Sequence, residues 1–237
     1  MTGAPVSGRL WRGLKRLLLG LVGLLLLYQF WLFGWVLWWG QANPGSTRFM
    51  DIRLAELRLR DPAAQLSRQW IAYERISPNL KRAVIAAEDD LFVNHDGFDW
   101  NGIQRAIEKN RRFGKIVAGG STISQQLAKN LFLSPEKTPW RKAQEAVITL
   151  MIETCWSKQR ILEVYLNVIE WGVGVFGAEA AARHYYGVSA TQLSAEQAAR
   201  LAGMVPRPRY YDRNRNAPGL ANRVAAIRQR MAAAQLP

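Results

Sequence analysis

The chain has 237 residues, enough for one domain of ordinary size with appendages. Hydrophobic residues make up 49% of it and charged residues 21%, a composition that excludes an intrinsically disordered protein. The net charge of +14 favours an anionic partner such as nucleic acid, anionic lipid or a phosphorylated substrate, although a solvated basic surface gives the same sum.

The N-terminus has the pattern of a membrane anchor. Residues 1–16 form a tail with basic side chains and no acid, and residues 17–39 contain no charge at all. As a helix the uncharged segment would be about 34 Å long, enough to cross the hydrocarbon core of a bilayer with some tilt. The tryptophans concentrated in its C-terminal half are typical of an aromatic belt at a membrane interface.

These features favour a transmembrane signal anchor that is not cleaved. A cleaved signal peptide would have a shorter apolar region and a small-residue cleavage site. The length, position and tryptophan content of the segment disfavour a buried core helix. The basic tail is then expected in the cytoplasm, with the rest of the chain exported.

The remainder divides into a connecting segment and a helical domain. Residues 40–76 are interpreted as a linker and lead-in, because a breaker cluster, Asn-Pro-Gly-Ser at 43–46, is followed by charged and apolar residues without a clean period. Residues 77–237 carry helical patterns and weak strand signals, so a mainly α domain is predicted there.

Capping residues predict where the helices of this domain begin. The predicted starts are Ser77 with Pro78, Asp99, Ser121 or Thr122, Thr138 with Pro139, Ser157, and Ser194 with Gln197. The helix after Asp99 is predicted to end near Arg112, next to a basic segment at 109–118 that is interpreted as a mobile loop. The helix after Ser157 is predicted to continue through Trp171.

Glu88 is the first candidate for acid–base chemistry. It ends an apolar helical run and is followed by Asp89 and Asp90. Partial desolvation and neighbouring negative charge both disfavour ionisation, which moves a carboxyl group towards a useful base. A helix-end acid in an ordinary salt bridge explains the spacing equally well.

Two further segments carry groups suited to an anionic sugar substrate. Gly119 and Gly120 precede a helix on which Thr122, Gln126 and Lys129 share one face, and exposed N–H groups at a helix start favour anions. On spacing alone, such residues more often form an ordinary polar, solvent-exposed face of a helix.

The second of these segments contains Arg141, Lys142 and Glu145. Arg141 and Glu145 have the spacing of an ordinary stabilising pair on a helix, but a glutamate beside two cations could instead orient a diphosphate. No metal ligand is assigned, because the two histidines and the single cysteine form no cluster.

Together these segments resemble the peptidoglycan glycosyltransferase family, glycosyltransferase family 51, which is found as the first domain of bifunctional penicillin-binding proteins. The resemblance covers about residues 75–210 in the family's order. It rests on Glu88-Asp89 with Phe92, His95 and Gly97, on the whole segment 119–130, on Arg141-Lys142 with Glu145, on 158–167, on the glycines at 172, 174 and 177, and on the segments 181–187 and 193–202. Tyr185-Tyr186-Gly187 is a mild departure, because the family often has a phenylalanine there. An anchored chain with this domain and no room for a transpeptidase resembles the monofunctional members.

The resemblance implies a lysozyme-like helical fold and the polymerisation of lipid II into β-1,4-linked glycan strands, with inversion and release of undecaprenyl diphosphate. It implies that Glu88 is the general base, that Lys129, Arg141 and Lys142 bind the diphosphate, and that Glu145 acts on the leaving group or its metal. A divalent cation, Mg or Mn, at the diphosphate is left open. Positions implied to line the cleft are Asp89, Phe92, His95, Thr122, Gln126 and Asn130.

The implied location is the bacterial inner (cytoplasmic) membrane, with the catalytic domain in the periplasm. The implied partners are lipid II, the nascent glycan strand and membrane lipid, with other cell-wall synthesis proteins left open and no nucleic acid. Two alternatives remain at this stage. A lytic enzyme of lysozyme-like fold would cleave the same glycan with one glutamate and would need no cations for a diphosphate. A tethered binding or scaffold protein would not need the carboxylate of Glu88.

Overall fold

The protein is mainly α-helical, as predicted. A computed structural model describes residues 6–115 and 119–237, with side chains from residue 10 onward. It divides into two compact units, one ending at Ala42 and the other running from Asn43 to Pro237. The first contains helix α1 (Val6–Gln41), whose segment Leu10–Gln41 is long and apolar enough to cross a membrane, with a mean hydropathy of 2.1.

The second unit contains ten helices and a small sheet within the described residues. The helices are α2 (Arg48–Arg58), α3 (Pro78–Glu88), α4 (Trp100–Phe113), α5 (Ile123–Phe132), α6 (Pro139–Cys155), α7 (Lys158–Val168), α8 (Ala178–Tyr186), α9 (Ala195–Met204), α10 (Pro208–Arg213) and α11 (Leu220–Met231). The strands are β1 (Ser67–Arg68), β2 (Glu170–Gly172) and β3 (Val175–Phe176). They form a sheet in the order β1-β3-β2, in which β3 is parallel to β1 and antiparallel to β2.

The predicted helix starts are confirmed by the geometry of their caps. In each case the side chain of the capping residue accepts a hydrogen bond from a backbone N–H in the first turn of the helix, which satisfies one of the donors left unpaired there. These caps are Ser77, Asp99, Thr122, Thr138, Ser157 and Ser194, with full capping boxes at Thr122 and Ser194.

The connecting segment differs from its interpretation as a linker. Thr47 caps helix α2 within it, and Phe49 and Met50 of that helix are buried. Helix α2 packs against α5. Residues 43–76 therefore belong to the folded unit, because this short helix buries its apolar residues on a helix distant in sequence.

The predicted end of α4 near Arg112 is confirmed to within one residue, but the loop predicted at 109–118 and the predicted end of α7 differ. Helix α4 continues to Phe113 and ends at Gly114, which adopts the left-handed conformation with φ 62°, so residues 109–113 are helical and not part of a loop. Residues 116–118 of the predicted loop lie outside the described residues. Helix α7 stops at Val168, because the chain becomes extended at Ile169 and enters strand β2, where the buried Trp171 lies.

The core is arranged around two helices that meet where the candidate residues lie. Helix α3 packs against α9 and α11, and helix α5 packs against α2, α6 and α7. Their inward faces are fully buried, as Leu80 and Val84 on α3 and Leu127 on α5 illustrate. This packing fixes the C-terminal end of α3 beside the N-terminal end of α5.

We predict that Gly177→Ala destabilises the second unit more than Gly187→Ala does. Both glycines have positive φ, 85° and 68°, where an added side chain costs about 1 kcal/mol or more. At Gly177 a Cβ would also lie 2.8 Å from the backbone oxygen of Asn167, whereas at Gly187 it would meet nothing within 4 Å. Thermal unfolding of the purified protein should show a decrease of a few degrees for Gly187→Ala and at least about twice that for Gly177→Ala. Equal decreases would contradict the close approach of the backbone at Gly177.

Candidate active site

Glu88 lies at the C-terminal end of α3, at the edge of a cavity. Its side chain is 10% exposed. The amide of Gln126 donates a hydrogen bond to one carboxylate oxygen at 3.0 Å, and a guanidinium nitrogen of Arg223 lies 3.4 Å from the other. Desolvation raises the pKa of Glu88 above its ordinary value, although Gln126, Arg223 and Lys129 each act in the opposite direction. The site therefore contains a carboxylate that is poorly hydrated but still has partners for its charge.

Asp89 connects the two helices that form the site. One of its carboxylate oxygens accepts a hydrogen bond at 2.9 Å from the backbone N–H of Ile123, in the first turn of α5, and the other lies 2.9 Å from Nε2 of His95. The N–H of Gly97 donates to Nδ1 of the same imidazole at 3.2 Å, which fits a tautomer with its proton on Nε2. A charged acceptor at a helix N-terminus is stabilising, so Asp89 positions α5 against the end of α3.

Phe92 and His95, which follow Asp89 in the chain, are held in place by contacts with Lys158. Phe92 is fully buried, and the ammonium group of Lys158 lies 4.8 Å from the centre of its ring. Lys158 also donates to the backbone oxygen of His95 at 2.5 Å and forms an ion pair with Glu153 at 2.8 Å. Phe92 and His95, which were predicted to line the cleft, are not among the residues that line either cavity at this site; His95 instead contacts Asp89.

Helix α5 presents Gln126 and Lys129 on one side, as the spacing predicted. The oxygen of the Gln126 side chain accepts a hydrogen bond from the hydroxyl of Tyr165 at 2.9 Å, which leaves its amide nitrogen directed to Glu88. Lys129 is buried enough for desolvation to lower its pKa, while Glu145 and Glu88 act in the opposite direction. Glu145 and Glu88 therefore act on Lys129 as neighbouring negative charges.

Thr122 and Asn130 have other partners. The hydroxyl of Thr122 donates to the backbone oxygen of Gly97 at 2.7 Å and accepts from the N–H of Gln125, so it is occupied in the fold. The amide of Asn130 donates to the backbone oxygen of Gln126 at 2.7 Å. Both residues are buried, and each contributes to the wall of a cavity.

Arg141, Lys142 and Glu145 form a compact cluster on α6. The buried carboxylate of Glu145 accepts from Arg141 at 2.5 Å through one oxygen and from Lys142 through the other. Lys142 also lies 3.5 Å from the hydroxyl of Ser121. The Nε group of Arg141 is buried and has no hydrogen-bond partner among the described residues. The cluster therefore holds two cations in fixed positions and has an unused donor.

Two cavities are linked by the hydrogen bond between Glu88, which lines the first, and Gln126, which lines the second. The first, of about 250 Å³, is also lined by Asp89, by residues of α4 from Gly102 to Lys109 and by the segment from Gly119 to Thr122. The second, of about 360 Å³, is also lined by Lys129, Asn130 and Tyr165, together with residues of α2 and α10. The α6 cluster lines neither cavity, but Lys142 contacts Ser121, which lines the first.

Two residues at this site were not predicted. Tyr165 lies within the segment 158–167 that carries part of the resemblance, and burial raises its pKa well above the ordinary value, so it remains a neutral donor. Arg223 comes from α11, separated from Glu88 by 135 positions. The sequence contains no local signal for that contact, because it depends on how α11 packs against α3.

The chain was also compared with known protein families and with curated proteins. The family model described as Transglycosylase matches residues 55–232. Three similar curated proteins, each named biosynthetic peptidoglycan transglycosylase, come from Dechloromonas aromatica, Methylobacillus flagellatus and Chromobacterium violaceum. They are 70%, 63% and 60% identical to the chain. The alignments cover 95%, 96% and 95% of this chain and 98%, 97% and 99% of the relatives.

We predict that Asp89→Ala destabilises the fold by about 3 kcal/mol, because the N–H of Ile123 and the ring of His95 lose their buried partner. Asp90→Ala is the matched control, since this neighbouring acid is exposed and its removal should change stability by less than about 0.5 kcal/mol. Denaturant unfolding of both variants measures the difference. Similar values for the two would show that Asp89 does not connect the helices.

Proposed function

The chain belongs to the transglycosylase family, and from this we propose that it polymerises lipid II into β-1,4-linked glycan strands of peptidoglycan. The reaction inverts the anomeric centre of the donor and releases undecaprenyl diphosphate. That the chain is a glycosyltransferase acting on peptidoglycan follows from the family and from relatives aligned over nearly their whole length. That the substrate is lipid II and that the anomeric centre is inverted are the parts that we propose.

One observation carries this proposal. The desolvated carboxylate of Glu88 lies at a cavity edge and is bonded to Gln126 of α5. Helix α5 also carries Lys129 and packs against α6, where Arg141 and Lys142 are held by Glu145. Glycosyl transfer from a diphosphate requires a base together with ordered cations. The base must remove a proton while the cations receive the negative charge that leaves.

Glu88 is proposed to act on the acceptor sugar. It takes the proton of the 4-hydroxyl group of the acceptor's N-acetylglucosamine, and the oxygen attacks the anomeric carbon of the donor's N-acetylmuramic acid. The new C–O bond forms on the face opposite the diphosphate, whose own C–O bond breaks with the electron pair moving to the phosphate oxygen. The raised pKa of Glu88 makes it a better base than an ordinary carboxylate.

Lys129, Arg141 and Lys142 are proposed to receive the diphosphate. Charge develops on this group in the transition state, and cations already held in place stabilise it without having to reorganise. Glu145 orders Arg141 and Lys142 through its two oxygens.

The donor set does not fit a divalent cation held by the protein. Both oxygens of Glu145 face Arg141 and Lys142, whose positive charges repel such an ion. The described residues also contain no group of three or more His, Cys, Asp or Glu side chains that could hold a metal. Positive charge for the diphosphate is therefore assigned to the side chains themselves.

The cations also favour a synthase over the two alternatives. A lytic enzyme cleaves a glycan that has no diphosphate, so it gains nothing from Lys129 near Arg141 and Lys142. A scaffold protein gains nothing from the burial of Glu88, which disfavours its charge. A reaction that releases a charged leaving group, in contrast, requires both a base and ordered cations.

The apolar helix α1 suits a substrate with a lipid tail. We assign it to the bacterial inner membrane, with the N-terminus in the cytoplasm and the second unit in the periplasm. An isoprenoid-linked substrate cannot leave the bilayer, so an anchored enzyme meets it there. Membrane lipid and the growing strand are the expected neighbours.

We predict that Glu88→Gln lowers polymerisation of purified lipid II by at least about 1,000-fold, because the amide cannot accept the proton. The amide has the same shape, so thermal unfolding should stay close to that of the wild type. Glu196→Gln is the control, since Glu196 is exposed on α9 and pairs with Arg228. Turnover by Glu88→Gln at the rate of the wild type would refute Glu88 as the base.

We further predict that Lys129→Ala and Arg141→Ala each lose about 100-fold or more in kcat, because each removes charge stabilisation of the leaving group. Arg183→Ala is the matched control, because Arg183 forms the same (i, i+4) pair with Glu179 on α8. Near-normal rates for both site variants would eliminate the proposed diphosphate site.

A further inference from the structure

We infer that Arg223 of α11 is a positioning residue for this reaction, whose guanidinium keeps the Glu88 carboxyl group charged and oriented towards the acceptor hydroxyl. The inference rests on the proposed function, since it concerns the base of that reaction. It assigns to the C-terminal helix a part in the chemistry of the site, alongside Glu88 of α3, Gln126 of α5 and the cluster on α6.

The packing of α11 determines where Arg223 points. Leu220, Val224 and Ile227 are buried on one face of the helix, which packs against α9 and α3. A Cβ added at Gly203 of α9 would lie only 3.4 Å from the side chains of Leu220 and Val224, which shows how closely the two helices approach. Arg223, next to Val224 in the chain, is carried on this helix to the end of α3.

Arg223 and Gln126 contact different oxygens of the same carboxylate. Nη2 of Arg223 lies 3.4 Å from Oε1 of Glu88, and Nε2 of Gln126 lies 3.0 Å from Oε2. One partner comes from α11 and the other from α5, so the carboxylate is fixed between two helices. A carboxylate with a partner on each oxygen has little freedom to rotate.

No other residue in the described part of the chain forms an ion pair or hydrogen bond with the Arg223 side chain. Its Nε group is buried and has no partner there, although the side chain as a whole is 38% exposed. An arginine bound only for stability would be expected to use its buried donor. The available contacts direct its charge to Glu88 alone.

The surroundings of Glu88 explain why a counter-charge is needed. Desolvation raises the pKa of Glu88 and Asp89 adds to this effect, while the hydrogen bond from Gln126 and the charges of Arg223 and Lys129 lower it, in that order. Of the two charged groups that lower it, Arg223 has the larger effect. Tyr165, which also faces Glu88, is neutral. The other charged groups around the same cavity are Asp90, Asp99, Arg105, Lys109 and Arg230.

Lys129 cannot fully replace Arg223 in this role. In the proposed reaction Lys129 binds the diphosphate, and its charge is also shared with Glu145. Arg223 comes from α11, and Glu88 is the only ion-pair or hydrogen-bond partner of its side chain among the described residues. It therefore remains the counter-charge for Glu88 while the substrate is bound.

The test is the pH dependence of kcat/KM for lipid II polymerisation by the full-length protein. Arg223→Gln removes the charge, so a higher pH should be needed to ionise Glu88, and the acid limb of the profile should move to higher pH. The loss of rate should be about tenfold greater at the acid end than at the alkaline end. Arg223→Lys restores the charge and should keep the limb near its wild-type position.

The matched control is Arg228→Gln, on the same helix, because Arg228 pairs with Glu196 on α9. It should leave both the rate and the profile unchanged. Thermal unfolding establishes whether each variant is folded. If Arg223→Gln does not fold, Arg223→Met serves as a second variant without the charge. Should neither fold, the inference requires Arg223→Lys to fold and to retain the acid limb, and loss of that limb in Arg223→Lys would overturn it.

An equal loss of rate at every pH, with the acid limb unmoved, would mean that Arg223 only supports the fold, and the inference would be overturned. That result differs from a failure of the proposed function. If the wild-type protein forms no polymer from lipid II, the function itself is wrong. If it forms polymer and the limb does not move, only the assignment of Arg223 is wrong.

Discussion

The site depends on the carboxylate of Asp89, which joins the end of α3 to the start of α5. Its two oxygens bind the N–H of Ile123 and the ring of His95, the first in a buried and the second in a partly buried hydrogen bond. Glu88 precedes this residue, and Gln126 and Lys129 follow on the helix that it positions. One charged contact between two helix ends therefore sets where Glu88 lies relative to Gln126 and Lys129.

Around that contact the protein balances burial against charge. Burial makes Glu88 harder to ionise, and Arg223, Gln126 and Lys129 offset part of that cost. At the neighbouring cluster the roles are reversed, because the buried carboxylate of Glu145 holds two cations in place. A carboxylate with partners for its charge and cations held by Glu145 are both in place before any substrate arrives, which is how preorganised sites stabilise a transition state.

Local sequence signals predicted much of this structure, and distant contacts account for most of what they missed. Capping residues such as Ser77, Thr122 and Ser194 gave the helix starts, because a cap acts on the turn that follows it. The shared face of Gln126 and Lys129 followed from helical spacing alone. Helix α2 was missed because its buried face packs against α5, far along the chain. The contact of Arg223 with Glu88 is of the same kind, because it exists only once α11 has packed against α3. Strand β2 was missed although its partner β3 follows closely, because the helical pattern before it was extended through Trp171.

The central claim is that this cleft builds glycan strands from a lipid-linked diphosphate. The most direct measurement follows the products formed by the purified protein from lipid II alone, with the linkage configuration determined by NMR and the released lipid quantified. The account predicts new β-1,4 linkages and one undecaprenyl diphosphate released for each linkage. Cleavage of preformed glycan without polymerisation, or retention of the α configuration of the donor in the product, would contradict it.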